Sequence, residues 1–432
     1  MMVINNITEL YDVYLQHPSI QTDSRKIKPG DIFFALKGPN FDGNAYALQA
    51  LEDGAAYAVV DTVQSSDERL IVVENVLTTL QQLARHHRLQ TGIPFIAITG
   101  SNGKTTTKEL ITKVLSSKFR TYATEGNLNN HIGIPLTLLK IKPDAEMAVI
   151  EMGANHQGEI AGYCTVALPD YGLITNCGKA HLEGFGGIEG VRKAKGELYD
   201  HLRLHEGCIF RFADLDYLEK MATGIREQVT YGTANAQIIG KALSGEMFLK
   251  VAVLSAGREC TIRTQLVGDY NLPNVLAAIA VGDYFGIDID TIREAIESYS
   301  PSNSRSQLIQ VNNNRIILDA YNANPASMKM AIENMASLDV PGKWLLLGAM
   351  KEMGAASDEE HQALVDLLNH YGFTNVVLVG DEFKTTDHSF QWFPTAEAAR
   401  DFLRRSLPSQ ATILIKGSRG SRMEQVLDVF YE

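Results

Sequence analysis

Residues 95–107 read FIAITGSNGKTTT, and this stretch sets the fold of the chain. Its apolar first half predicts a buried strand, and the apolar residues of 108–115 recur at the spacing of one helical face. Gly100 and Gly103 therefore lie between a strand and the N-terminus of a helix. Free backbone N–H groups and the helix dipole attract anions at such a turn, so the stretch predicts a phosphate-binding loop.

The side chains that follow the glycines suit a nucleotide. Lys104 supplies a cation for the phosphates, and the Thr105 hydroxyl can ligate Mg²⁺. The loop departs from the usual eight-residue pattern, because Ile98 stands where the first glycine is expected. A structural turn is the alternative, but the strand before the loop and the helix after it favour nucleotide binding.

Length and composition indicate an ordinary globular protein of more than one domain. The chain has 432 residues, of which 45% are hydrophobic and 21% charged, so two or three domains are expected. A net charge of -12 argues against a nucleic-acid or anionic-membrane surface. No signal-peptide pattern and no segment of membrane-spanning length is found, which predicts a cytoplasmic protein without membrane insertion. The 4 irregularly spaced cysteines fit neither a zinc site nor a disulfide framework and are expected to be reduced.

The apolar pattern predicts an α/β protein of three domains. Residues 1–90 predict a small α/β domain, and 91–300 predict a larger α/β domain of the P-loop ATPase type. Within the larger domain, residues 228–267 alternate like strands and predict an antiparallel excursion. A turn-rich linker at 299–306 leads into 301–432, where strands alternate with helices and predict a Rossmann-like, doubly wound parallel sheet.

Two polar stretches of the first domain, 22–25 and 38–43, allow two interpretations. Asp, Ser, Pro, Asn and Gly are the residues of ordinary turns, and composition alone favours turns here. The alternative is a binding edge, in which Arg25 pairs with a phosphate and Asp23 or Ser24 hydrogen-bonds a sugar or a base.

Further polar features follow the phosphate loop. The asparagines of 127–130 cannot all face a core unpaired, so they lie on an exposed loop or line a polar site. Glu151 ends a buried strand, where it is either a solvated strand-end residue or a Mg²⁺ ligand beside the loop. By spacing alone His181 is an ordinary loop histidine and Lys195 a solvent-facing lysine of a helix.

Several motifs, in this order, resemble those of the ATP-dependent Mur ligases of peptidoglycan synthesis, and the resemblance covers the whole chain. They are TGSNGKTT at 99–106, NLNNHIGIP at 127–135, EMGANHQGE at 151–159, DAYNANP at 319–325 and KGSR at 416–419. The phosphate loop of that family has the same shortened form, which accounts for Ile98. The resemblance implies a role in cell-wall biogenesis, and through it in cell shape and cell division.

The resemblance also implies which residues form the nucleotide and metal sites. It makes Lys104, Lys195 and His181 catalytic, with Lys195 carbamylated. It assigns Mg²⁺, as two ions, to Thr105, Glu151, His181 and Lys195. It assigns ATP to Thr99, Gly100, Ser101, Asn102, Gly103, Lys104, Thr105, Thr106, Asn271, Arg305 and Asp319.

For the reaction, the resemblance implies that ATP drives amide-bond formation between UDP-N-acetylmuramoyl-tripeptide and D-alanyl-D-alanine through an acyl phosphate. The first domain would bind the UDP substrate, the central domain ATP, and the last domain would complete the ligase site. Substrate contacts are assigned to Thr22, Asp23, Ser24, Arg25, Asn40, Gly43, Asn127, Asn129, Asn130, Tyr321, Asn322 and Asn324. The alternatives are a ligase that adds the third peptide residue, a folylpolyglutamate synthase, or a nucleotide-dependent regulatory module. A monomer without a nucleic-acid partner is expected.

One motif departs from the family pattern. Relatives often read LGDMxELG, whereas residues 347–354 read LGAMKEMG, with Ala349 in place of the acid. The carboxylate function is therefore expected to be absent here or supplied by another residue, such as Glu352.

Overall fold

The computed structural model describes residues 2–3, 6–63, 65–179, 182–243, 246–255 and 257–432. Its strands form a five-stranded, a nine-stranded and a six-stranded sheet, together with a two-stranded ribbon. Helices follow most parallel strands, which confirms the predicted α/β class. The domain limits at 1–90, 91–300 and 301–432 stay predictions.

The first sheet lies in the N-terminal part of the chain. Its elements are β1 (Met2–Val3), α1 (Ile7–Gln16), β2 (Ile20–Gln21), β3 (Ile32–Phe34), β4 (Lys37–Gly38), β5 (Phe41–Asp42), α2 (Ala47–Glu52), β6 (Tyr57–Val60), β7 (Leu70–Val72) and α3 (Val76–Thr91). Strands pair in parallel in the order β1-β7-β6-β3-β2, and β4 and β5 form the ribbon. Ile32 and Phe34 pack with α1 and α3, whereas Phe33 packs with α2, as strand alternation requires.

Helix α3 joins this sheet to the next one. It begins after Asn75, whose side chain accepts a hydrogen bond from the backbone N–H of Thr78. Near its end, buried Arg88 pairs with Asp170 at 2.8 Å, and its guanidinium lies 3.9 Å from the ring centre of Phe95. Arg88 therefore ties α3 to the first strand of the central sheet.

The central sheet carries the phosphate loop. Its elements are β8 (Phe95–Thr99), α4 (Lys104–Leu115), β9 (Thr121–Ala123), α5 (Gly133–Leu138), β10 (Met147–Glu151), α6 (Glu159–Ala167), β11 (Tyr171–Ile174), α7 (Leu182–Phe185), α8 (Ile188–Leu204), β12 (Cys208–Phe212), α9 (Asp216–Met221), β13 (Glu227–Gly232), β14 (Ile238–Leu243), β15 (Phe248–Ser255), β16 (Arg258–Val267), α10 (Leu272–Tyr284) and α11 (Ile289–Glu297). The strand order is β16-β15-β14-β13-β12-β11-β8-β10-β9. Strand β8 lies inside the sheet and is buried along its length, so the loop that follows it has a rigid base.

The predicted antiparallel excursion at 228–267 is only partly correct. Strands β14, β15 and β16 are antiparallel, but β13 pairs in parallel with β12, and β14 pairs in parallel with β13. The segment therefore extends the central sheet and is not a separate element. Alternation along a strand reports which faces are buried and does not report the direction of the neighbouring strand, so sequence pattern could not resolve this.

The C-terminal sheet is parallel except at one edge. Its elements are β17 (Gln307–Val311), β18 (Asn314–Asp319), α12 (Pro325–Ser337), β19 (Lys343–Gly348), α13 (Ser357–His370), β20 (Val376–Val379), β21 (Gln391–Phe393), α14 (Ala396–Leu403) and β22 (Thr412–Lys416). The order is β17-β18-β22-β19-β20-β21, with β17 antiparallel to β18. Apolar clusters cover both faces of the sheet, as in a doubly wound fold.

Two composition-based expectations can be compared with the structure. No helix among the described residues is long and apolar enough to cross a bilayer. The four cysteines are free thiols; Cys164, Cys177 and Cys208 are buried and Cys260 is partly exposed. Burial raises the pKa of the Cys177 thiol to about 12, so this buried thiol stays protonated at neutral pH.

Candidate active site

A cavity of about 760 Å³ lies between the central and C-terminal sheets. Its walls are the loops that follow β8, β10 and β11 on one side and the loops that follow β18, β19 and β22 on the other. The carboxyl ends of the parallel strands of the two sheets thus face each other across one space. Such edges are where open α/β sheets bind ligands.

The phosphate loop takes its shape from two glycines. Gly100 has φ +146°, and a Cβ there would lie 1.9 Å from Thr175 Oγ1. Gly103 has φ +81°, and a Cβ there would lie 2.6 Å from Asn274 Oδ1. Both positions therefore exclude larger residues, and α4 begins directly after Gly103 with its N-terminus at the cavity.

The side chain of Lys104 folds back onto the phosphate loop. Its Nζ donates to the carbonyl oxygens of Gly100 at 2.7 Å and Ser101 at 3.1 Å. Burial lowers the pKa of the Lys104 amine to about 8, and Glu151 opposes the shift while Arg305 adds to it. The amine is therefore mostly protonated at neutral pH, which places a cation inside the loop.

Two buried oxygens beside the loop lack partners among the described residues. These are Thr105 Oγ1 and Glu151 Oε2. The other Glu151 oxygen accepts a hydrogen bond from Asn129 Nδ2 at 2.8 Å, which fixes the carboxylate. Buried acceptors without donors are costly, and oxygen ligands of this kind suit Mg²⁺, so the pair fits a cation. The described residues include no group of three or more His, Cys, Asp or Glu that could hold a metal. His181 lies outside the described residues.

Lys195 is buried, contrary to the ordinary expectation for a helical lysine. Its side chain on α8 is 2% exposed, and Nζ donates to the Ala154 carbonyl at 3.2 Å. The ring centre of Phe185 lies 5.0 Å from Nζ. Burial, and to a smaller extent Lys104, lowers the pKa of the Lys195 amine to about 7. A large neutral fraction of this amine is therefore available at physiological pH.

The C-terminal wall carries a second set of charges. The guanidinium of Arg305 lies 3.7 Å from the ring centre of Tyr321, and its Nε has no partner in the described part of the chain. Asp319 accepts from Lys416 Nζ at 2.6 Å and from the backbone N–H of Ser306 at 3.1 Å. These contacts fix Asp319 at the end of β18, facing the cavity.

Amide side chains link the two walls. Asn324 Nδ2 donates to Asn102 Oδ1 at 2.8 Å, which joins the phosphate loop to the N-cap of α12. On the central side, Asn271 Nδ2 donates to the Val267 carbonyl at 3.0 Å and Asn271 Oδ1 accepts from Asn274 Nδ2 at 2.9 Å. The amides of Asn102 and Asn271 are therefore held in fixed orientations at the cavity.

Most of the predicted nucleotide, metal and C-terminal substrate residues line this one cavity. They are Ser101, Asn102, Gly103, Lys104, Thr105, Thr106, Asn129, Asn130, Glu151, Asn271, Arg305, Asp319, Tyr321, Asn322 and Asn324. Thr99, Gly100 and Asn127 do not line it, and Lys195 lies behind the wall formed by Ala154. The Thr99 hydroxyl donates to the Met152 carbonyl at 2.8 Å, so its contact is structural.

The predicted N-terminal substrate residues do not line the cavity. These are Thr22, Asp23, Ser24, Arg25, Asn40 and Gly43. Arg25 is 85% exposed at its side chain and makes two bonds to Asp23, of 2.8 and 2.9 Å. Hydrogen bonding from Arg25 lowers the pKa of Asp23 to about 2. Both the turn and the binding-edge interpretation of this stretch stay open.

Several cavity residues were missed by the sequence interpretation of the site. Tyr270, Asn274, Lys416 and Arg419 line it. Lys416 and Arg419 are the first and last residues of the KGSR motif and could have been found from it, since Lys416 ends a strand of the parallel sheet and Arg419 follows that strand. Ala349 is buried and its backbone bonds to β20, while Glu352 lines the cavity.

This combination defines a class of protein. The phosphate loop and the buried carboxylate belong to the central sheet, and the buried lysine of α8 lies behind them. Across the cavity from them lie an arginine, on the segment that enters the C-terminal sheet, and an aspartate at the end of β18. The arrangement is that of a nucleotide-dependent enzyme whose site is completed by more than one domain.

Comparisons with known proteins identify the family. Three family models match: "Mur ligase family, catalytic domain" at residues 18–88, "Mur ligase middle domain" at 98–282 and "Mur ligase, glutamate ligase domain" at 304–419. UDP-N-acetylmuramoyl-tripeptide–D-alanyl-D-alanine ligase of Escherichia coli strain K12 is 34% identical over 100% of this chain and 97% of its own length. The chain belongs to the Mur ligase family.

Solved structures agree with this membership. MurF from Acinetobacter baumannii superposes with a TM-score of 0.88 and 30% identity, covering 96% of this chain and 93% of that one. MurF from Thermotoga maritima in complex with ADP gives 0.87 and 28%, covering 96% and 97%. Folylpolyglutamate synthase of Mycobacterium tuberculosis, at 14% identity and a TM-score of 0.62, shares the fold alone.

Proposed function

We propose that this chain uses ATP to join D-alanyl-D-alanine to UDP-N-acetylmuramoyl-tripeptide, a step of peptidoglycan precursor synthesis. The observation that carries the proposal is similarity along the entire chain to ligases whose names state this reaction. A ligase for the third peptide residue and a folylpolyglutamate synthase, the two alternatives, resemble the chain in fold only.

The reaction must make a carboxylate reactive towards an amine in water. The γ-phosphoryl group of ATP passes to the terminal carboxylate of the tripeptide, so one P–O bond breaks, another forms and ADP leaves. The amine of D-alanyl-D-alanine then attacks the acyl carbon, a C–N bond forms, and inorganic phosphate and a proton depart. Because two anions meet in the first step, fixed positive charge is the main catalytic requirement.

This chain offers cations from both walls for that step. Lys104 lies inside the phosphate loop, and Arg305 faces it from the linker that enters the C-terminal sheet. Placed on opposite sides, they neutralise the phosphates and hold them in line with the carboxylate. Asn271 and Asp319, held by their own hydrogen bonds, are proposed to contact the rest of the nucleotide.

Thr105 and Glu151 are proposed to hold Mg²⁺, because their unpartnered buried oxygens are the ligand type that this ion takes. When bound, Mg²⁺ would neutralise charge on the phosphate oxygens. Asn129 supports the site by keeping the Glu151 carboxylate in one orientation. His181 stays a predicted ligand from sequence resemblance.

Lys195 is proposed to be carbamylated. A buried ammonium without a carboxylate partner is unfavourable, and among the described contacts its Nζ has the Ala154 carbonyl as acceptor. The ammonium first loses a proton, and addition of CO₂ to the neutral amine then forms an N–C bond and releases a second proton, so that a cation becomes an anion. The resulting oxygens would provide ligands for a second Mg²⁺.

The remaining substrate assignments follow the domain arrangement. Tyr321, Asn322 and Asn324 are proposed to contact the peptide end of the substrate from the C-terminal wall. The stretches 22–25 and 38–43 are proposed to hold the UDP end.

Use of ATP and a UDP-linked precursor favours a cytoplasmic location. A monomer stays a prediction, which light scattering of the purified chain would check.

A phosphate-release assay tests the function. Release that requires ATP, UDP-N-acetylmuramoyl-tripeptide and D-alanyl-D-alanine together, with the expected product mass, is the predicted result. Release that instead requires a glutamate-type acceptor or a single third amino acid would favour one of the other ligases. Slow hydrolysis that no acceptor changes would favour a regulatory module.

Glu151→Gln is expected to raise the Mg²⁺ concentration for half-maximal activity by about tenfold or more, since even an indirect metal partner is worth that much. The amide keeps the size of the side chain but loses the charge. Mn²⁺ binding should weaken in parallel. It is measured by electron paramagnetic resonance in the presence of a nonhydrolysable ATP analogue.

Glu146→Gln is the matched control, because Glu146 lies in the same domain and pairs with Arg120 at the surface. It should leave metal dependence unchanged. A Glu151→Gln enzyme with the wild-type Mg²⁺ curve would remove Glu151 from the metal site.

A further inference from the structure

The segment 299–306 crosses from the central to the C-terminal sheet and carries Arg305. Its first part contacts Glu109, on the second turn of α4, the helix of the phosphate loop. Tyr299 Oη donates to Glu109 Oε2 at 2.5 Å, and Asn303 Nδ2 donates to Glu109 Oε1 at 2.9 Å. Both carboxylate oxygens of Glu109 are thus used to hold the crossing segment.

The other end of the segment is held from both sides, by Asp319 and Tyr321 of the C-terminal part of the chain and by Tyr270, which follows β16 of the central sheet. The backbone N–H of Ser306 donates to Asp319 Oδ1 at 3.1 Å, and the Ser306 hydroxyl bonds to Tyr270 Oη at 2.8 Å. The Ser304 carbonyl accepts from the backbone N–H of Tyr321 at 3.3 Å. Arg305 therefore stands between one anchor on α4 and another on β18.

The backbone around Arg305 needs these anchors. Ser304 has φ +57° and Ser306 has φ +50°, so two residues with a Cβ adopt the left-handed region on either side of Arg305. Such conformations are unfavourable and persist only where surrounding contacts over-determine them. Without an anchor the segment would relax, and the guanidinium would leave its place over the Tyr321 ring.

We propose that Glu109 is a positioning residue, which fixes segment 299–306 on the phosphate-loop helix and so places Arg305 at the nucleotide. The inference rests on the proposed role of Arg305 in ATP binding. Glu109 acts through Arg305 and does not line the cavity itself. One carboxylate thereby fixes the position of the segment that supplies the opposing cation relative to the helix that binds the phosphates.

The test measures KM for ATP, KM for D-alanyl-D-alanine and the melting temperature. Glu109→Ala should raise KM for ATP by about tenfold, the effect expected for hydrogen bonds to a charged group. KM for D-alanyl-D-alanine and the melting temperature should change little. Glu109→Gln, which keeps one acceptor, should recover part of the loss. Lys113→Ala, on the exposed face of the same helix, is the matched control.

A double-variant comparison separates positioning from fold stability. If Glu109 acts through Arg305, Glu109→Ala should add nothing to KM for ATP in the Arg305→Ala background. Tyr299→Phe and Asn303→Ala remove the partners singly, leave α4 intact, and should each give part of the effect. They keep the test valid should Glu109→Ala fold poorly.

The results of these experiments distinguish a failure of the inference about Glu109 from a failure of the proposed role of Arg305. Full additivity of Glu109→Ala and Arg305→Ala, or an equal loss in every kinetic constant together with a lower melting temperature, would overturn the inference. An Arg305→Ala enzyme with unchanged KM for ATP would instead overturn the proposed nucleotide role of Arg305.

Discussion

Lys104→Ala is expected to lower turnover by about 10²-fold or more, the loss seen when one preorganised charge-stabilising group is removed from a site. The reason is the meeting of the ATP γ-phosphate with a carboxylate, two anions whose repulsion Lys104 must offset. Its amine lies inside the phosphate loop, where it bonds to the Gly100 and Ser101 carbonyls. Steady-state phosphate release with all substrates saturating is the measurement.

Two variants show whether charge or packing is responsible. Lys104→Arg keeps the cation with a bulkier head group and should retain more activity than Lys104→Ala. Lys113→Ala removes a cation from the exposed face of the same helix and should leave turnover unchanged. Turnover of Lys104→Ala within a few-fold of wild type would refute the assigned role of the phosphate loop.

The phosphate loop was predictable because its residues report local conformation. An apolar run, two glycines and an amphipathic segment gave β8 and α4 close to the bounds that the structure shows. In the C-terminal sheet, the largely apolar sequence runs at 343–348 and 412–416 coincide with β19 and β22. Parallel strands buried on both faces appear as continuous apolar runs, which are easy to locate.

Strand partners and short edge strands were not predictable in the same way. The parallel pairing of β13 with β12 depends on contacts distant in sequence, and β17 and β21 are edge strands with weak apolar patterns. An edge strand buries less surface, so its composition differs little from that of a loop. The sequence pattern therefore located the centre of each sheet better than its margins.

The residues of the candidate site likewise fall into those that the sequence could predict and those that it could not. Residues adjacent to a strand end, such as Glu151 and Asp319, could be placed at the sheet edge by position alone. Lys195 could not, because nothing local marks a helical lysine as buried, and only the packing of α8 against the loop after β10 shows it. The Glu109 contacts join positions remote in sequence, for which a single sequence carries no signal.

Lys195→Ala is expected to reduce activity to below about one per cent of wild type, as for loss of a group that holds transition-state charge. The argument starts from burial: Lys195 is 2% exposed, and burial favours its neutral amine, the form that reacts with CO₂. If the carbamate supplies the ligand oxygens, a short carboxylic acid such as acetate should enter the space left by the side chain and partly restore activity. Phosphate release across an acetate titration measures this.

A second measurement reports the modification without relying on activity. Wild-type protein equilibrated with ¹³C-bicarbonate should show a carbamate carbonyl signal by NMR that is absent from Lys195→Ala. Lys193→Ala, two residues earlier on the exposed face of α8, should keep both the signal and the activity. A Lys195→Ala enzyme that is inactive, keeps the wild-type melting temperature and is not rescued by any small carboxylate would show that the amine itself is needed. Because the carbamate and the ammonium differ in the sign of their charge, only the carbamate can help to bind a cation, and the two measurements together decide which form is present.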